Sequence, residues 1–390
     1  MKYKFDETID RSQTNAFKWK ARLLDNDGKK IYPMWVADME FDAAPAIRKR
    51  LEERVKEGVY GYELLSDEYY AAVKHWLKKK HNCNLETDQI LYCANMMCGL
   101  SMILQTYTEE NDEVLMNVPA YGNFYNVIKG CKRVVVESRL KEIDQRFTFD
   151  LADMEQRVTE KTRAFLLCNP HNPTGTVWTS EELEQICLFC QKHHLFIISD
   201  ESHFDFVFYG QHTMMKKIAD KYQIPTVTII SPGKSFNVAG IQTAALLVEG
   251  IKTKNELFNT MHAMAYPFEH AFAEAVTIGA YMESEEWFEE AYNYIKSNKD
   301  MVVKYLKENI PVLRVPYSEA TYLLWVDCNG MKMDEEEIML FWENECGIMP
   351  SAGSEFGDSG KKFIRLNLAC PTKTIESALE KMKKGFDRFF

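Results

Sequence analysis

The sequence predicts an α/β fold: an open, mainly parallel sheet covered by helices, followed by a smaller α+β unit. Three short apolar runs predict the sheet, because each ends in a polar cluster. Arg163-Ala-Phe-Leu-Leu-Cys168 leads into Asn169-Pro-His-Asn-Pro-Thr-Gly175, and Leu195-Phe-Ile-Ile-Ser199 leads into Asp200-Glu-Ser-His203. Thr226-Val-Thr-Ile-Ile230 leads into Ser231-Pro-Gly-Lys-Ser-Phe236. Runs without polar alternation suit strands buried on both faces. Ligands of such sheets bind beyond the carboxyl ends of the strands.

The elements follow in order. The segment to about Pro45 carries turn residues and isolated aromatics (Phe17, Trp19, Trp35), as an arm crossing another surface would. Ile47, Leu51 and Val55 predict a helix over 46–57, and Tyr70, Val73, Trp76 and Leu77 predict one over 67–80. A third helix is expected to begin at Cys98-Gly99-Leu100. Glu113-Val-Leu-Met-Asn-Val118 and Arg133-Val-Val-Val-Glu137 add two strands. Thr179-Ser-Glu-Glu182 is a capping box opening a helix to about His194. Strand–helix–strand at this spacing implies right-handed crossovers. Long helices after about Glu283, the strands Thr321–Asp327 and Lys362–Leu368, and a closing helix form the second unit. The expected division is an arm that also joins the small unit over 1–45, a large unit over 46–283, and the small unit over 284–390.

A chain of 390 residues is long enough for two cores. Its net charge of −11 is spread along the chain, which argues against a nucleic-acid surface, since that needs a clustered basic face. No apolar run reaches the length of a membrane span and no leader is apparent, so a cytoplasmic protein is expected. The ten cysteines show no paired metal spacing apart from Cys187 and Cys190, which fall in a helical pattern and read as core residues. No metal site is expected.

Chemistry is expected at the strand ends. Lys234 follows a buried strand, and Pro232-Gly233 suggests a tight turn aiming its amine into a cleft. Asp200 ends another strand and Asn172 lies between two prolines after a third. An amine, an acid and an amide at one sheet edge are what a pyridoxal 5′-phosphate site needs: a Schiff-base lysine, a partner for the ring nitrogen, and a hydrogen bond to the ring oxygen. Tyr121, in Val118-Pro-Ala-Tyr121-Gly122, is suited to stacking on a flat heterocycle. Ser231 is a candidate phosphate contact, as are the amides of Asn95, Met96 and Met97 at a helix amino-terminus. Arg365, among apolar neighbours, is a candidate for a substrate carboxylate. Against each stands a plainer reading: a turn lysine, a cap aspartate, a loop amide, a core tyrosine.

These residues resemble the fold-type I pyridoxal phosphate enzymes, the aspartate aminotransferase superfamily. The likeness runs from Trp35-Val-Ala-Asp-Met39 through the Asn172, Asp200 and Lys234 motifs to Phe363-Ile-Arg-Leu-Asn367. Trp-Val-Ala-Asp-Met, the Pro-His-Asn-Pro loop, and His203 three residues after Asp200 are most similar to the cystathionine β-lyase branch, the bacterial C–S lyases. The resemblance implies a seven-stranded, mainly parallel large-domain sheet and a homodimer with a shared site. It implies an imine at Lys234, ring contacts from Asp200, Asn172, Tyr121 and His203, and phosphate contacts from Ser231 and the 95–97 turn. It also implies substrate contacts from Arg365 and Asp38, and a Tyr62 that reaches the neighbouring subunit's site. The chain departs from the family at the phosphate turn, where Asn95-Met96-Met97 replaces the usual Gly-Val-Val. Asparagine tolerates positive φ, so the turn is expected to survive with a thicker wall.

The expected activity is β-elimination from a cysteine S-conjugate, giving a thiol, pyruvate and ammonia. An aminotransferase uses the same groups and is the alternative. A regulatory binder with weak catalysis is the third reading.

Overall fold

Seven strands form the central sheet of the computed structural model, which describes residues 2–20, 28, 30–266 and 269–390. Residues 1, 21–27 and 29 of the expected arm lie outside the described residues. In spatial order the strands are Ile90–Cys93, Ala244–Leu247, Thr226–Ile230, Phe196–Asp200, Thr162–Cys168, Glu113–Val118 and Val134–Arg139. Ala244–Leu247 runs antiparallel to both of its neighbours, and the other pairings are parallel. Apolar side chains fill the central strands on both faces, as unalternating runs require.

The helices carry their own start and stop chemistry. Thr179 caps Ser180–His193 by accepting the Glu182 amide, the Glu182 carboxylate returns the bond, and His194 closes the helix at φ 55°. Pro45 opens Pro45–Lys56, where its missing N–H costs nothing. Asp67–His81 buries Trp76, whose indole donates to Asp205 at 3.0 Å.

Two expectations change at helix amino-termini. The third helix begins at Met96, two residues before Cys98, because the Asn95 side chain caps it by accepting the Cys98 amide at 2.9 Å. Asn95 is extended at φ −161°, so the turn needs no left-handed residue. At Lys234 the expected tight turn is a single helical turn, Pro232–Ser235, capped by Ser231.

A second sheet of three antiparallel strands, in the order Leu323–Asp327, Phe363–Asn367, Ser351–Ala352, is covered by Thr372–Phe389 and by the later part of Glu285–Asn309. That 25-residue helix joins both cores: Trp287, Phe288 and Ile295 pack with the helices beside the large sheet, while Val302 and Leu306 pack under the small one. Near the amino-terminus, Tyr32–Pro33 pairs with Ile348–Met349, so the chain's start runs beside its end before Trp35–Ala37 crosses to the strand ends. No helix among the described residues is long and apolar enough to cross a membrane.

Candidate active site

A cavity of about 950 Å³ opens at the carboxyl ends of the central strands. Lys234, Asp200, Asn172, Tyr121, His203, Asn95, Met96, Met97 and Arg365 all line it. Strand register explains much of the convergence. Asp200 ends its strand opposite Cys168, four residues before Asn172, and Ile229 lies on its other side, five residues before Lys234.

The Lys234 amine donates to the Ala37 carbonyl at 2.6 Å, a carbonyl that also accepts from the Tyr322 hydroxyl at 3.1 Å. Burial lowers its pKa to about 8; Arg365 adds to the shift and Asp38 and Asp200 oppose it. Burial likewise raises Asp200 to about 6, against the hydrogen bonds from the Ser202 amide (2.9 Å) and hydroxyl (2.5 Å). Lys299 is another lysine whose pKa burial lowers, here to about 7. Its amine is engaged by Ser318 Oγ and the Ala320 and Thr321 carbonyls, and it does not line the cavity.

Arg365 is buried with its guanidinium 4.7 Å from the centre of the Phe356 ring. It donates to Asn172 Oδ1 (3.1 Å), the Trp35 carbonyl (2.9 Å) and Ser351 Oγ (3.3 Å), and burial lowers it to about 10. Its Nε has no hydrogen-bond partner among the described residues, and neither does His203 Nδ1. Burial, with Lys234 and Arg365 nearby, holds His203 well below the usual imidazole range, so its ring is neutral. Arg365 and His203 both line the cavity, and buried polar atoms without a partner are rare in folded proteins.

Pyridoxal 5′-phosphate fits this wall. Its aldehyde calls for a low-pKa amine, its ring nitrogen for a buried acid, and its phosphate for open helix amides. The first helical amides, of Met96 and Met97, have no intrahelical acceptor, while those of Cys98 and Gly99 bond to Asn95.

Three expected residues stand elsewhere. Ser231 does not line the cavity: its hydroxyl donates to the Thr243 carbonyl at 2.7 Å and accepts the Gly233 amide, so it shapes the Lys234 turn. Asp38 is not on the wall either. Arg11 and the buried Lys18, each 3.5 Å away, draw its carboxylate towards the amino-terminal segment. Tyr62 is 89 % exposed and lies outside the cavity of its own chain.

The wall also holds residues that pattern reading passes over: Ser202, Gln242, Glu355, and Phe17 packed on Trp35 at 4.9 Å. Ser202 had a signal, since a serine two residues after a strand-ending aspartate closes a side-chain turn. Glu355, in the short helix Gly353–Phe356, and Gln242, just after Ala239–Ile241, carry none.

The whole architecture has known counterparts. The model of the family "aminotransferase class I and II" matches residues 36–382. Cystathionine beta-lyase PatB of Bacillus subtilis is 29% identical over 386 residues, 97% of this chain and 98% of that protein. Protein MalY of Escherichia coli is 28% identical, with 97% of each chain covered. The crystal structure of cystalysin from Treponema denticola, which contains pyridoxal 5′-phosphate, superposes with a TM-score of 0.93 at 30% identity and covers all of both chains. The chain belongs to the aminotransferase class I and II family, and its cofactor is pyridoxal 5′-phosphate.

Proposed function

We propose that the protein is a carbon–sulfur β-lyase, releasing a thiol, pyruvate and ammonia from cysteine S-conjugates. Similarity over nearly the whole chain to relatives named cystathionine beta-lyase supports elimination as the reaction. The meeting of Lys234, Asp200 and Arg365 in one cavity is the observation that carries the chemistry.

Lys234, Asp200, Asn172, Tyr121, His203 and the amides of Met96 and Met97 would hold the cofactor. When bound, it supplies an aldehyde for amines and a ring that withdraws electrons from the substrate α-carbon. Lys234 Nζ, low in pKa and anchored at Ala37, is the base that takes the α-proton. Asp200, buried and mostly ionised at neutral pH, would stabilise a proton on the ring nitrogen. Arg365, its guanidinium held by Asn172, the Trp35 carbonyl and Ser351, binds and orients the α-carboxylate. The Phe17–Trp35 pair adds an apolar face to the same cavity.

The same reading makes the protein a homodimer in which Tyr62 completes the neighbouring site. An exposed apolar run supports it: Val59 at 74 %, Tyr62 at 89 % and Leu64 at 82 %. The division at 46–283 and 284–390 also belongs to the proposal, supported by the separate apolar cluster around the small sheet.

The test is incubation of the cofactor-loaded protein with cystathionine, assaying pyruvate and free thiol without a keto acid. Release of both is expected. Strict dependence on a keto-acid acceptor would mean transamination instead.

A further inference from the structure

Lys299 stays off the cavity wall, but the segment it holds is bonded to the backbone that carries the site. It stands on Glu285–Asn309, buried, and its amine donates to Ser318 Oγ at 2.8 Å and to the carbonyls of Ala320 and Thr321 at 2.6 and 2.9 Å. A protonated amine has three N–H donors, so all of them are spent on one short segment and none on a carboxylate. Burial opposes the charge, and Asp300 and Glu319 offset only part of that. Packing alone would be met by an apolar side chain of the same length.

That segment is strained. Thr321 is buried at φ 63°, a left-handed conformation that a β-branched residue rarely adopts. Such a residue persists only where its surroundings fix it. Here its carbonyl accepts from Lys299 and its amide donates to the Phe206 carbonyl at 2.7 Å. The next residue is the buried Tyr322, whose hydroxyl donates to the Ala37 carbonyl at 3.1 Å, the same oxygen that accepts from the Lys234 amine. On its other side the segment meets the Asn172 loop: the Glu319 and Ala320 amides both donate to the Gly175 carbonyl, at 2.9 and 2.8 Å. A Cβ at Gly175 would stand 2.0 Å from Ser318 Oγ, so the two stretches are in close contact.

We propose that Lys299 is a positioning residue for proton removal: by fixing the 318–321 segment it aims the Tyr322 hydroxyl at Ala37, whose carbonyl holds the Lys234 amine. Loosening this carbonyl leaves substrate binding by Arg365 in place and slows the step in which Lys234 takes the α-proton. The inference rests on Lys234 being that base, and not on elimination being the outcome.

The test follows exchange of a substrate α-proton, a step that elimination and transamination share. The cofactor-loaded enzyme is incubated with L-alanine in D2O; exchange is read by proton NMR, and binding from the cofactor's absorbance. Lys299→Met and Tyr322→Phe are each expected to slow exchange by roughly tenfold or more, with alanine affinity within about threefold of the unaltered enzyme. Because both act through Ala37, the double variant should be at most about threefold slower than the slower single one. A smaller loss in either single variant, a fall in affinity that accounts for it, or losses that multiply in the double would overturn the proposal. If Lys299→Met does not fold, Tyr322→Phe, which removes one hydroxyl and keeps the ring, decides by the same limits. Exchange that survives Lys234→Ala would instead end the reading of Lys234 as the base, and this inference with it.

Discussion

At Lys234 a single physical fact, burial, does most of the preparation for chemistry. With a pKa of about 8, roughly one amine in ten is uncharged at pH 7, against roughly one in three thousand for an ordinary lysine. The shift is downward, so the uncharged amine accumulates as pH rises through 8 rather than through 10. Condensation of added cofactor with the apoprotein should therefore speed up to about pH 8 and then level off. Stopped-flow absorbance measures this, and a rate still climbing at pH 10 would show an unperturbed amine. Arg365 makes a second residue-level prediction. Arg365→Lys keeps the charge but loses the planar fork held by Asn172, Trp35 and Ser351. Its KM for cystathionine should rise roughly 10- to 100-fold, the equivalent of one or two charge-assisted hydrogen bonds. Steady-state kinetics would reveal it. Residues such as Lys234, Asp200 and Asn172 were legible in the sequence because each follows a recognisable buried strand. Glu355 was not, since its place on the wall depends on a backbone packing between Gly122 and the 353–357 segment that no local pattern encodes.

Elements hold those residues through buried polar contacts as well as apolar ones. Asp205 accepts from the Trp76 indole and the Ser235 hydroxyl and pairs with His81 at 2.7 Å, tying Asp67–His81 to the short helix that carries Lys234. Asp205→Ala would strand those partners in the core and should cost about 3 kcal/mol or more, seen as a lower midpoint in chemical denaturation. Gly353→Ala should cost about 3 kcal/mol for a different reason, because its Cβ would stand 1.9 Å from the Gly360 carbonyl oxygen. Strand and helix positions were largely readable from periodicity and caps, with Thr179 and Glu182 the clearest case. Misreadings fell at helix starts. Whether Asn95 adopts an extended cap or a left-handed turn depends on how the preceding strand enters, and Pro232-Gly233 opens a helix as readily as a turn. Asp38 stands off the cavity wall because its partners Lys18 and Arg11 lie in an arm without periodic pattern.

At the scale of the whole molecule, the proposed homodimer would make the site belong to two chains. Lys234→Ala and Tyr62→Ala should each be severely impaired alone. Unfolded together and refolded one to one, they should regain about one quarter of the unaltered activity, because half the dimers carry one intact site. Absence of recovery would place Tyr62 outside the neighbouring site. Everything at this scale still depends on one bond, between the cofactor's aldehyde and a particular amine. Reduction of the loaded protein with borohydride, digestion and peptide mapping measures it directly. The expected result is a pyridoxyl group on Lys234; a group on Lys299 or any other lysine, or on none, would contradict it.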